Sequence, residues 1–75
     1  MNNQRRKEIK EVITRLEFIK GDLERIKDNE QDYFDNIPEN LQGSERAETA
    51  EETIDQLDDV IEEIENALDD LNEII

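Results

Sequence analysis

Apolar residues recur through the second half of the chain at Ala47, Ala50, Ile54, Leu57, Ile61, Ile64, Leu68, Leu71 and Ile75, in steps that alternate three and four. That spacing is a heptad written on a helix. Nearly everything between these positions is Asp or Glu, so residues 44–75 read as one long acidic helix with a clean apolar seam. The first half holds the same rhythm at Ile9, Val12, Leu16, Ile19, Leu23, Ile26, Tyr33 and Ile37, which predicts a helix over 4–35. One site in that row, Glu30, is charged. Gly21 falls inside the first helix on the side away from the seam, at a cost of about 1 kcal/mol relative to Ala.

Between the two runs the pattern breaks at residues 36–43. Pro38 disfavours helical geometry at Ile37, so the first helix should end there. Pro38 and Glu39 can open a single helical turn, with Asn36 or Ile37 at its start. Gly43 suits a left-handed position, and Ser44 is a good N-cap for the second helix, with Glu45 in its first turn. Ile37 and Leu41 are expected to tuck under the turn. The two helices match in length, about 32 residues or ~48 Å each, and a short connection makes them antiparallel neighbours.

A register follows from aligning the two heptads. Tyr33 would meet Ala47, Ile26 would meet Ile54, Leu23 Leu57, Ile19 Ile61, Leu16 Ile64, Val12 Leu68 and Ile9 Leu71, with Glu30 opposite Ala50 as the one polar layer. On one flank Lys20 and Lys27 would face Asp58 and Glu51. At the open end Arg5, Arg6 and Lys7 would approach Asp69, Asp70 and Glu73. Each such exposed pair contributes only a few tenths of a kcal/mol. The other flank does not balance. There the second helix shows a further apolar row, Thr53, Val60, Ala67 and Ile74, against Glu8, Arg15, Asp22 and Asn29. That stripe is too wide for a two-helix seam. The first helix likewise leaves Ile13, Phe18 and Phe34 outside its strict heptad. The expected architecture is therefore all-α: an antiparallel helical hairpin forming a single domain over residues 1–75. Ile13, Phe18, Phe34, Val60, Ala67 and Ile74 are candidate contacts of a homodimer, two hairpins packed as a four-helix bundle.

Composition sharpens this picture. With 33% hydrophobic and 43% charged residues and a mean hydropathy of −0.99, the chain borders on disorder by content. Disordered acidic chains do not hold a heptad over a whole segment. A chain this short buries little core alone, and it has no Cys for a disulfide and no His or Cys for a zinc site. Self-association is what remains. No apolar run approaches the roughly 20 residues of a membrane span. The N-terminal MNNQRRKEIKEV lacks the apolar core of a secretory signal, so a cytoplasmic location is expected.

The net charge of −14 is unevenly placed. Residues 1–35 carry eight basic and nine acidic side chains, a net of −1; residues 36–75 carry one basic residue, Arg46, and fourteen acidic ones, a net of −13. Such a surface repels nucleic acid and anionic lipid and attracts basic proteins. Catalytic constellations are nearly absent. Ser44 is the only serine and has no base beside it. The many carboxylates sit on exposed faces rather than in an apolar cleft that would shift their pKa. Neither the Glu-x-x-His pairs of diiron bundles nor a Ca²⁺-loop pattern occurs. No enzyme activity and no cofactor or metal is expected.

Two features could carry binding. Glu30 and Arg46 form a candidate polar layer, Glu30 reaching Arg46 one turn before Ala50, of the kind that fixes register and partner number. Two Glu30 side chains meeting in a dimer, or a Glu30 that simply reaches water, are the other readings. The second feature is the acidic face: Glu48, Asp55, Glu62 and Asp69 at seven-residue spacing, about 10.5 Å apart along the axis, flanked by Asp59 and further carboxylates. A rigid rod of carboxylates can follow the charge track of nucleic acid and so occupy the basic groove of a nucleic-acid-binding protein. The plainer reading is a solvated face that keeps a small protein soluble. Phe18, Tyr33 and Phe34 are candidate aromatic anchors for an interface.

The stretch Tyr33-Phe34-Asp35-Asn36-Ile37-Pro38-Glu39-Asn40-Leu41-Gln42-Gly43-Ser44-Glu45-Arg46 resembles a turn recurring in small acidic helical-hairpin proteins of phages and prophages of low-GC Gram-positive bacteria. There a helix ends in an aromatic-x-N-x-P-E-N-L-Q-x-S-E-R turn and is followed by an acidic, Ala-rich heptad helix. The resemblance is strongest over residues 30–57. It implies a helical hairpin and a phage or mobile-element origin, in the cytoplasm of an infected or lysogenic host. Because small acidic phage proteins are often inhibitors of host enzymes or antiviral defence, it also favours an inhibitor. The expected partners are a second copy and a basic host protein, with no direct nucleic-acid binding and no membrane.

Overall fold

The computed structural model describes residues 1–75 as two long helices joined by a tight turn. Helix α1 spans Asn3–Asp35 and α2 spans Glu45–Ile74, with a single 3₁₀ turn at Glu39–Leu41 between them. The helices pack along each other into a rod measuring 60 × 15 × 12 Å.

Local chemistry sets the helix ends. Asn2, in extended geometry, caps α1 by accepting a hydrogen bond from the Arg5 amide at 2.8 Å. Ser44 does the same for α2, accepting from the Ala47 amide at 3.3 Å, and Glu45 and Glu48 complement the positive end of the helix dipole. The last carbonyls of α1 are satisfied by Asn36 and Gln42. Asn36 donates from backbone and side chain to the Asp32 carbonyl, and the Gln42 amide donates to the carbonyls of Ile37 at 2.8 Å and Phe34 at 3.4 Å. Pro38 stands just before the 3₁₀ turn as expected. Gly43, however, is not left-handed, since no glycine has positive φ. A run of i→i+3 bonds from Pro38 to Ser44 reverses the chain without one. Ile37 is 6% exposed beneath the turn, whereas Leu41 lies on its outside.

Helix α2 buries the seam its heptad announces. Ala47, Ala50, Ile61 and Leu68 are buried, and Ile54, Leu57, Ile64 and Leu71 are half-buried. Helix α1 is turned from the expected setting. Its inward rows are Ile9, Leu16, Leu23, Glu30 and Ile37 together with Ile13, Lys20, Lys27 and Phe34. Val12, Ile19, Ile26 and Tyr33, expected in the seam, are exposed. Ile13, expected outside it, is 7% exposed. The Lys stems explain how the seam tolerates two cations: each lays its methylenes inward and carries its ammonium to the edge. There Lys27 Nζ lies 2.6 Å from Asp58 and Lys20 Nζ lies 3.2 Å from Glu65.

Two ion-pair partners on this flank differ from expectation. Lys20 and Lys27 meet Glu65 and Asp58 rather than Asp58 and Glu51. Arg5, Arg6 and Lys7 form no ion pair with Asp69, Asp70 or Glu73.

Candidate protein-interaction surfaces

Three surfaces remain outside the seam, the first two made by rows at heptad spacing. The first is apolar. Val12, Ile19, Ile26 and Tyr33 of α1 are all exposed, as are Val60, Ala67 and Ile74 of α2, with Thr53 half-buried in the same row. Two observations put both rows on one side of the hairpin. The Lys20–Glu65 and Lys27–Asp58 pairs occupy the opposite flank. Arg46 lies one heptad before Thr53, and its guanidinium sits over the Tyr33 ring, 5.9 Å from the centroid. The two rows therefore run side by side. The acidic and polar flank expected opposite Thr53, Val60 and Ala67 is replaced by this apolar one.

Arg46 thus stacks on Tyr33 instead of pairing with Glu30, and no ion pair joins the two proposed members of the polar layer. Glu30, Tyr33, Glu45, Arg46, Thr49 and Ala50 line one shallow cleft beside the turn. Glu30 is half-buried at its edge.

The second surface is the outer face of α2. Glu48, Asp55, Asp59, Glu62 and Asp69 are all exposed there. Helix α2 carries thirteen acidic side chains in 30 residues, one per about 3.5 Å of axis at 1.5 Å rise. Both interhelical cations are used on the flank, by Asp58 and Glu65, so the outer row has no basic side chain in contact. Hydrogen bonding to these carboxylates raises both lysines above the ordinary value of 10.5, Lys20 through Glu65 and Lys27 through Asp58, and keeps them charged.

The third surface is Phe18, 74% exposed on the outward side of α1. Thr14, Glu17, Gly21 and Asp22 surround it, and a Cβ on Gly21 would meet nothing within 4 Å. Of the residues expected at a dimer contact, Phe18, Val60, Ala67 and Ile74 are therefore free, while Ile13 is buried and Phe34 half-buried within the hairpin itself. The strict heptad reading missed Val12, Ile19, Ile26 and Tyr33 as surface residues, because their spacing is indistinguishable from a seam. It missed the capping role of Gln42 because a Gln after a turn carries no specific signal.

No group of acidic residues converges as a metal-holding cluster, and no helix is long and apolar enough to cross a membrane. No family model matches the chain, and searches of curated proteins and of solved structures returned no similar protein.

Proposed function

We propose that the chain is a non-enzymatic, acidic protein-binding module. In this reading two hairpins associate through their apolar faces into a homodimeric four-helix bundle, and the outer face of α2 occupies the basic groove of a nucleic-acid-binding protein. One observation carries it. Counted over all its faces, α2 carries one carboxylate per ~3.5 Å of a rigid axis, a linear charge density comparable with the ~3.4 Å between phosphates along one DNA strand, and the outward row forms no ion pair. A rod of that charge density suits an inhibitor that competes with nucleic acid for a basic host or antiviral-defence protein. The turn resemblance favours a phage-type origin and action in the cytoplasm of an infected or lysogenic bacterium.

Capture of partners from a bacterial host lysate, followed by competition with duplex DNA and a salt series, tests this reading. The retained protein should bind nucleic acid, be displaced by DNA, and release steeply as ionic strength rises. Asp55→Lys, Glu62→Lys and Asp69→Lys together should abolish capture and leave the helical circular dichroism unchanged. Salt-insensitive capture that survives the triple substitution would sink the mimicry.

A second reading, an assembly adaptor without mimicry, is favoured by Phe18. A side chain 74% exposed beside a glycine makes a knob and notch suited to a partner helix. Phe18→Ala should then eliminate capture, whereas a charge mimic should tolerate it.

A further inference from the structure

Resting on the homodimer proposed above, we infer that the second copy covers the Val12–Tyr33 and Thr53–Ile74 face with its turn at the same end, so that α1 of each copy lies against α2 of its partner. Size is the first argument for this occupant. The apolar rows run about 32 Å along α1 and α2, across a hairpin 15 Å wide. Two such faces cover roughly 1,000 Å², about what a biological interface must clear. At roughly 480 Å² on each copy, the patch matches the largest apolar patches of typical monomers, which are often functional. The face is also its own complement. A two-fold axis parallel to the helices keeps the levels already present inside the hairpin. It lays the Val12, Ile19 and Ile26 row of one copy along the Val60, Ala67 and Ile74 row of its partner.

Charge selects this arrangement over the alternative. A two-fold axis across the helices would also match the apolar rows, but it would set α1 on α1 and α2 on α2. That places two segments of net −13 side by side, with Glu63 facing its own copy. With the turns together, each α2 has an α1 as both of its neighbours, and residues 1–35 have a net charge of only −1. The two acidic helices then sit on a diagonal of the bundle. Their outward rows point to opposite sides, and the dimer offers two separate acidic tracks.

The chain contains no cysteine, so Asn40→Cys in the exposed turn provides a single attachment point for a nitroxide label. Dipolar electron-spin spectroscopy then reads the distance between the two turns, with no binding partner present. The inference expects about 20 Å, from interaxial distances of about 8–10 Å plus the label arms. Ile26→Glu should eliminate the dipolar signal in the same labelled chain while helicity is kept. A distance near the 60 Å length of the hairpin overturns the arrangement and leaves the dimer standing. A labelled native face that shows no dipolar coupling overturns the second copy as its occupant. Because lysate capture is a separate measurement, either failure is distinguishable from failure of the acidic-face reading.

Discussion

Replacing Ile13 and Ile19 by alanine, one at a time, separates the two ways α1 can be turned against α2. Ile13 is 7% exposed and Ile19 is 50% exposed. Ile13→Ala removes three carbon atoms from the seam, a transfer loss of about 2.4 kcal/mol at ~0.8 per methylene. The cavity left behind raises this to about 3 kcal/mol. For Ile19 the hairpin withdraws only half of the side chain from water, so the transfer loss is about 1.2 kcal/mol. The better helix propensity of alanine offsets about 0.4 kcal/mol of either loss. Urea unfolding followed by far-ultraviolet circular dichroism reads both variants. With a slope of about 1.5 kcal/mol per molar urea, the midpoint should fall by about 2 M for Ile13→Ala and by less than about 1 M for Ile19→Ala. The comparison belongs at the lowest workable protein concentration, where self-association adds least to the apparent stability. Equal losses, or the larger loss at Ile19, would mean that α1 presents its strict heptad to α2, and the turned seam would be refuted.

Gly21→Ala should raise the unfolding free energy by about 1 kcal/mol, since the added methyl meets nothing within 4 Å; a lower urea midpoint would show that another segment approaches that backbone. Alkaline titration should expose the two interhelical lysines. Their folded-state values are raised by the bonds to Glu65 and Asp58, so their contribution is complete below the unfolded value of 10.5 and is lost as pH rises through the folded value. The thermal midpoint should hold steady from neutrality to about pH 10 and then decline, and the decline should be shallower in Lys20→Met/Lys27→Met; an identical decline in that variant would remove the ion pairs from the account.

Much of the fold was legible before any coordinates. Pro38 and Ser44 bracket the turn, and both act as their chemistry requires: one stands before the 3₁₀ turn and the other caps α2. The acidic face was equally legible, because Glu48, Asp55, Glu62 and Asp69 follow at one-heptad steps from residues opposite the seam. Gly43 was less informative. A glycine permits left-handed geometry without demanding it, and the i→i+3 bonds around Leu41 made it unnecessary.

Helix α2 carries its Ile and Leu residues, Ile74 apart, on one stripe, edged on one side by the weaker Thr53, Val60, Ala67 and Ile74 row and elsewhere by charge, so its inward face follows from its residues alone. Helix α1 is different in kind. It carries Ile9, Leu16 and Leu23 with an apolar row on either side, one holding Val12, Ile19 and Ile26 and the other Ile13 and Phe34. Either neighbour completes a heptad with the shared row, so spacing leaves two rotations open. The rotation observed is the one in which the ammonium groups of Lys27 and Lys20 reach Asp58 and Glu65 while their stems fill the seam. That rotation also gathers the spare apolar rows of both helices onto a single flank, with Arg46 stacked on Tyr33 at its head. No reading of one helix at a time can find such a face, because it exists only once the two are placed side by side.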